Sequence, residues 1–413
     1  MGALFFDGEG GTDFVTVTTP AAATVRGGAG NDSLNVNAGT TAWVDGGLGS
    51  DTLSVTSKGA ATLDAGDGVN LVTVDSGAAV SVIGGSSEDT LSLKAAAGAT
   101  VSSSSGSDSI LLDAVGAVSV LSGAGDDSVV ITGGAAVFLN TDLGADLVSV
   151  KSKGASTLMA GDGGNQATLD SGGNLFVSAG VDRDSLELSS ASAATVNSGA
   201  GNDTVRLTSG TAASIANGNF YVSLDAGAGL DIVTVTAAGS ARISLGDGND
   251  AATVSGGPGG SSLNTGATVL AGTGDDSLVF TTQTVGMVDG GIGDDRVTVF
   301  GPGIATVSLG GGNDSVWLPG GGSVAAPTVS GGATATGKWV FGQDGNDLVV
   351  GASSLTIAGA SNTESQTIDL GNGDDTVFGW GGDDLIWLGS GKDLAFAGDG
   401  DDTVVSGLSL IHI

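Results

Sequence analysis

Carboxylates recur along this chain at a fixed interval. Asp13, Asp32, Asp51, Asn70, Asp89, Asp108, Asp127, Asp146, Asn165, Asp184 and Asp203 lie 19 residues apart without an insertion. Looser stations follow at Asp231, Asp250, Asp276, Asp295, Asp314, Asp347 and Asp375, and then Asp375, Asp384, Asp393 and Asp402 fall nine apart. Each Asp is preceded by glycine, as in GGAGND (Gly27 to Asp32), GGLGSD (Gly46 to Asp51), SGAGDD (Ser122 to Asp127) and GGIGDD (Gly290 to Asp295). Glycine permits positive φ and close backbone approach, which turns carbonyl oxygens toward a groove. Hard cations such as calcium take six to eight oxygens from carboxylates and carbonyls. A stack of Gly-Asp bends repeats that donor set.

Charge favours the same reading. The chain has 45 acidic and 11 basic residues and a net charge of −34. Carboxylates stacked about 5 Å apart repel by ~1 kcal/mol per neighbouring pair in water, and more where water is scarce. Salt bridges cannot neutralise such a column with so few bases. A divalent cation between turns would convert repulsion into attraction, and its binding energy would become folding energy. The other use of Asp at these places is as a turn former that caps the bend by accepting from backbone N–H groups. Asn70 and Asn165 could fill that role too.

The elements that position these residues are legible as columns. Two and four residues after each station come apolar side chains, for example Leu34 and Val36, Leu53 and Val55, Val72 and Val74, Ile110 and Leu112. This period-two alternation predicts a short strand with one buried face. Twelve residues after each station a second apolar column begins (Val25, Val44, Leu63, Val82, Val101, Val120), marking a second strand. Between the two lie small-residue bends such as TSKGA (Thr56 to Ala60). The fold class predicted is all-β, a parallel β-roll or β-helix solenoid of about 19 residues per turn, with 9-residue repeats at its C-terminal end. Glycine density and the apolar period exclude helices.

The organisation expected is a regular solenoid over 1–210, a solenoid with loop insertions over 211–369, a tandem nonapeptide β-roll over 370–405 and a non-repeat tail over 406–413. Station gaps of 28, 26, 33 and 28 carry the insertions. They read as loops, with an additional half turn as the other option for a gap of 28. Both ends enter the repeat almost at once, which suggests a fragment of a longer protein.

The units LGNGDDTVF, GWGGDDLIW, LGSGKDLAF and AGDGDDTVV (Leu370 to Val405) resemble the RTX, or haemolysin-type, nonapeptide G-G-x-G-x-D-x-U-x. Single units at Gly27, Ala271 and Gly290 match as well. The resemblance implies a β-roll that binds rows of calcium ions, in chains exported by type I secretion. It assigns Asp375, Asp384, Asp393 and Asp402 as carboxylate ligands, with Gly371, Gly373, Gly382, Gly389, Gly391, Gly398 and Gly400 at the glycine positions. By extension Asp32, Asp51, Asp127, Asp203, Asp250, Asp276, Asp295, Asp314 and Asp347 become candidate metal ligands. Before Asp375 only one bend per turn carries the motif, so calcium is expected along one edge there.

Other chemistry finds little support. There is one histidine, His412, and no cysteine, and Arg26, Arg183, Arg206, Arg242 and Arg296 are scattered, so no enzyme is expected. So acidic a chain should not bind nucleic acid, which demands clustered Lys and Arg. No apolar run reaches transmembrane length. The outward Ser and Thr column, a candidate ice- or glycan-binding face, is broken by Leu111, Val130, Glu187 and Arg206 and reads as a solvated strand face. Phe220, Tyr221, Trp317, Trp339, Trp380 and Trp387 suggest a glycan or partner surface, or packing under loops.

The function expected is a calcium-dependent extracellular structural module of an adhesin or surface-layer-type protein, secreted or on a bacterial cell surface. The alternative is the calcium-binding secretion and folding module of an RTX toxin or secreted enzyme whose catalytic domain lies elsewhere. The partners expected are calcium ions, with cell-surface glycans or other copies of the chain as further candidates.

Overall fold

The structure is a computed structural model. It describes residues 2–210, 221–256, 267–281, 285–300, 304–312, 314–317, 338–344, 348–350, 366–369, 375–378 and 383–407. All regular elements among these residues are strands, so none is a helix long and apolar enough to cross a membrane. The chain divides into two compact units, Met1–Gly199 and Ala200–Ile413.

The first unit opens with β1 (Leu4–Asp7), β2 (Phe14–Thr19), β3 (Ala23–Ala29), β4 (Ser33–Ala38), β5 (Ala42–Leu48) and β6 (Thr52–Ser57). Each strand pairs in parallel with the next but one, so β1, β3 and β5 build one sheet while β2, β4 and β6 build the other. The pattern continues to the strand Ala194–Asn197. Every pairing joins residues 19 apart, apart from a one-residue slip where Gly161 faces Ala179. The unit is therefore a parallel β-solenoid with two strands and two bends per turn, as the columns predict.

Alternation decides which side chains face inward. In β6 the sequence TLSVTS alternates exposed and buried, placing Leu53 and Val55 inside and Thr52, Ser54 and Thr56 outside. Leu34, Leu53 and Val72 stack on one wall, and Val25, Val44 and Leu63 on the other; all are within 1% of full burial. Each strand contributes two such inward apolar side chains, so the core is a thin column. No turn closes this core alone, and stability accumulates from neighbour contacts.

The second unit keeps the same plan while its spacing changes. Pairings join residues 28 apart at Thr204↔Ile232, 26 at Ala251↔Ser277, 33 at Ser315↔Leu348 and 28 at Leu348↔Thr376. Each long gap is thus a single turn, not a turn and a half. The added residues fall between Ser209 and Tyr221, Gly256 and Ala267, Trp317 and Lys338, and Val350 and Gln366. All four places are the bend opposite the Asp stations. On the Asp side the length is constant among the described residues: Val44 to Asp51, Leu224 to Asp231, Val269 to Asp276, Val307 to Asp314 and Ile386 to Asp393 each span seven residues. Of the loops expected at Thr211 to Val222 and Gly322 to Gly337, the second and most of the first lie outside the described residues, while Tyr221 and Val222 open a strand rather than ending a loop.

Near the C-terminal end the turn shortens to 18 residues, with Thr376↔Leu394 in one sheet and Leu385↔Thr403 in the other. The nonapeptide spacing therefore places Asp on both bends: Asp375 stacks on Asp393, and Asp384 on Asp402.

Candidate metal-binding ladder

The Asp bend is built on two glycines with positive φ. In GGLGSD they are Gly47 (φ 103°) and Gly49 (φ 121°), and the equivalents recur as Gly28 and Gly30, Gly66 and Gly68, and Gly291 and Gly293. A Cβ added at Gly47 would collide with the carbonyl oxygen of Gly28 on the preceding turn. Glycine is thus required twice here, for its φ and for backbone stacked on backbone. A further glycine at the start of the bend makes room for the carboxylate: a Cβ at Gly27 would strike Asp32 Oδ2, and one at Gly290 would strike Asp295 Oδ2.

Each Asp points inward, and its two oxygens differ. Oδ1 accepts the backbone N–H of the preceding station: Asp13 N–H to Asp32 Oδ1 at 2.8 Å, Asp32 to Asp51 at 2.8 Å, and so through Asp108 to Asp127 and Asp127 to Asp146. The second unit repeats this at Asp203 to Asp231 (2.7 Å), Asp250 to Asp276 (2.8 Å), Asp276 to Asp295 (2.8 Å) and Asp295 to Asp314 (2.8 Å). The bonds survive sequence gaps of 28 and 26, so the ladder holds register across the insertions. Capping of the bend by Asp accounts for this oxygen.

It leaves Oδ2 unexplained. In Asp32, Asp51, Asp231, Asp250, Asp276, Asp295 and Asp393 this atom is buried and has no hydrogen-bond partner. The residues are at most 3% exposed. A buried carboxylate oxygen without a partner is costly enough that a proton or a cation is normally recruited to it. Its surroundings are visible at the two Asn stations, where the amide nitrogen stands in the same place. Asn70 Nδ2 donates to the carbonyls of Gly66 (3.1 Å) and Gly68 (2.9 Å), and Asn165 Nδ2 to those of Gly161 (3.2 Å) and Gly163 (2.9 Å). Where no hydroxyl stands beside it, the equivalent Oδ2 of an Asp therefore faces two glycine carbonyls; at Asp108, Asp127 and Asp146 the hydroxyls of Ser103, Ser122 and Thr141 also lie beside the carboxylate.

Burial dominates the electrostatics. It pushes the carboxyls of Asp51, Asp108, Asp127, Asp146, Asp231 and Asp276 up to about 6, the capping N–H pulling down and neighbouring carboxylates adding to the rise. Asp295 is pushed up to about 8, again first by burial, with Asp276, Asp314 and Asp275 beside it. The ion pairs of Arg26 with Asp7 and Asp45 (both 4.0 Å) and of Lys151 with Asp170 (3.8 Å) lie on outward faces and involve none of the ladder carboxylates.

A second, exposed ladder runs one residue before the first. Asn31 Oδ1 accepts from Ser50 N–H, Asp126 Oδ1 from Ala145 N–H, Asp275 Oδ1 from Asp294 N–H and Asp383 Oδ1 from Asp401 N–H, at 2.8 to 2.9 Å. The opposite bend uses hydroxyls. Ser57 Oγ donates to Gly59 O at 2.7 Å, Ser76 Oγ to the same carbonyl at 2.8 Å, and Ser171 and Ser190 repeat the contact with Gly154 and Gly173. At these turns the hydroxyls are satisfied within the bend.

Of the candidate ligands, Asp32, Asp51 and Asp127 stand in the ladder of the first unit, Asp203, Asp250, Asp276, Asp295 and Asp314 in that of the second, and Asp375 with Asp393 and Asp384 with Asp402 in two short ones. Gly389, Gly391, Gly398 and Gly400 all have positive φ. Asp347, Gly371, Gly373 and Gly382 lie outside the described residues. Among the described residues no three carboxylate or imidazole side chains converge, so any cation would draw on backbone carbonyls as well as Asp. Of the aromatic candidates, Tyr221 is exposed on its strand and Trp387 half-buried. Phe220 and Trp380 lie outside the described residues, as do the side chains of Trp317 and Trp339. Sequence reasoning missed the hydroxyl ladder, whose signal was present: Ser152, Ser171, Ser190 and Ser209 are also 19 apart. It missed Trp43 and Phe5 too, whose rings flank the Arg26 guanidinium at 5.2 and 5.9 Å. No protein-family model matches the chain, and no curated protein matches it either.

Proposed function

We propose that this chain is a calcium-dependent structural repeat module that works outside the cell, as part of an adhesin or surface-layer-type protein. One observation carries the reading: a column of buried carboxylates, each with one oxygen committed to a backbone N–H and, at the stations named above, the other facing glycine carbonyls without a donor. Such a column needs positive charge. Calcium supplies it as a hard cation that accepts carboxylate and carbonyl oxygens together. Asp Oδ2 and the glycine carbonyls two and four residues before it would hold the ion. Oδ1 keeps its backbone bond and fixes the carboxylate's orientation.

The chain's own residues do the rest. Glycines at positive φ bring carbonyls into line, the seven-residue link from core to Asp holds each donor at one height, and the opposite bend absorbs insertions without disturbing the ladder. Where calcium is scarce, unneutralised carboxylates oppose stacking and the solenoid is only weakly and partly held. Where it is near millimolar, as in other extracellular calcium modules, stacking becomes favourable. Export in the weakly held state and folding outside follow from that difference.

Circular dichroism during a calcium titration after chelation, with magnesium as control, tests the reading. A cooperative gain of β-structure with calcium, and not with magnesium, is the expected result. Full β-structure in chelator at neutral pH, unchanged by calcium, would leave a calcium-independent solenoid.

A further inference from the structure

Two stations of the first unit differ from the rest in a way that bears on ion binding. At Asn70 the side chain does what Asp does and one thing more. Its Oδ1 accepts the N–H of Asp51 at 2.9 Å, which preserves the ladder. Its Nδ2 spends both hydrogens on the carbonyls of Gly66 and Gly68. Asn165 repeats the set, with Oδ1 on the N–H of Asp146 at 3.0 Å and Nδ2 on Gly161 and Gly163. The amide orientation is fixed by its neighbours: a flipped amide would set its oxygen against two carbonyls and its NH2 against an N–H. These stations are complete as they stand, with no anionic oxygen and no free carbonyl pair.

We infer that Asn70 and Asn165 are built-in substitutes for the cation, so that the ion row of the first unit is interrupted there and each Asn holds its turn in register without metal. The inference rests on the calcium reading above, and it divides the Asp stations into the runs Asp13 to Asp51, Asp89 to Asp146, and Asp184 onward. A general rule follows for this bend: Asp demands an ion, whereas Asn supplies the two contacts the ion would make. The metal-independent stations give the chain points at which neighbouring turns stay stacked when calcium is withdrawn.

The rule is tested in the full chain by exchanging the two residue types. Bound calcium is counted by equilibrium dialysis, and the urea midpoint is measured in chelator and in calcium at pH 7.5. Asn70→Asp with Asn165→Asp should raise the number of bound ions, one for each substituted station, and lower the midpoint in chelator but not in calcium. Asp51→Asn should lose one ion and hold or raise the midpoint in chelator. This second variant keeps the test decisive should the first fail to fold without calcium. An unchanged ion count in the Asn-to-Asp variant of a chain that does bind calcium would overturn this inference alone. So would a loss of midpoint in Asp51→Asn equal in chelator and calcium. A parent chain that binds no calcium would overturn both this inference and the reading beneath it.

Discussion

Acid should stabilise the metal-free solenoid, the reverse of what salt-bridged carboxylates produce. The perturbation is a change from pH 7.5 to pH 5 in chelator. Burial, followed by repulsion from neighbours such as Asp32 and Asp45, pushes Asp51 up to about 6, and the same cause puts Asp108, Asp127 and Asp146 at about 6 in the same unit. In the unfolded chain an Asp titrates at about 3.9. The folded state therefore holds protons that the unfolded state has released, and it binds more protons between the two values. Stability from each such station is fully present below about pH 4 and is lost as pH rises through 6, or through about 8 at Asp295. A shift of about two units corresponds to roughly 3 kcal/mol per station, taken between the two limits. Because contributions sum along a solenoid, a few stations outweigh the ordinary pH dependence of exposed groups. Urea unfolding followed by circular dichroism reads the effect, with the midpoint at pH 5 well above that at pH 7.5. In millimolar calcium the difference should shrink, since the ion replaces the proton. A midpoint in chelator that rises with pH, or does not move, would refute the claim that these carboxylates are buried without compensating charge.

Core, bend and hydroxyl ladder give further tests. Leu53→Ala removes a fully buried side chain between Leu34 and Val72 and should cost about 2–5 kcal/mol in urea unfolding, while Ser54→Ala on the outward face stays within about 0.5 kcal/mol. Gly47→Ala places a Cβ against the Gly28 carbonyl at a φ of 103° and should lower the thermal midpoint strongly both with and without calcium. Ser76→Ala removes the hydroxyl that donates to Gly59 and accepts from Ala78 N–H. It should cost about 1–3 kcal/mol and leave the calcium midpoint of the titration unchanged, because the turn from Ser76 to Ala79 holds no carboxylate.

Much of this architecture could be read from the chain because a solenoid repeats its local rules. Columns such as Leu34, Leu53 and Val72 give strand, face and register at once, since a one-residue slip would turn every buried side chain outward. The insertions were harder. A gap of 28 between Asp203 and Asp231 fits one turn with a loop or one and a half turns, and only the pairing of Thr204 with Ile232 decides it. At the bend, residue type indicated a carboxylate but not how its two oxygens divide. That division depends on the height of the next turn, which sets Asp32 N–H against Asp51 Oδ1 and leaves Oδ2 behind. In sequence Asn70 and Asn165 are stations that lack the carboxylate. Their amide contacts to Gly66, Gly68, Gly161 and Gly163 make them the stations whose polar groups are complete.

A crystal structure grown in millimolar calcium, with anomalous scattering used to locate the ion, tests the central claim most directly. The account predicts calcium density beside Asp51 Oδ2, Asp384 and Asp393, within about 2.6 Å of carboxylate and glycine carbonyl oxygens, and none beside Asn70. Grooves beside Asp384 and Asp393 that hold no ion under those conditions would contradict it.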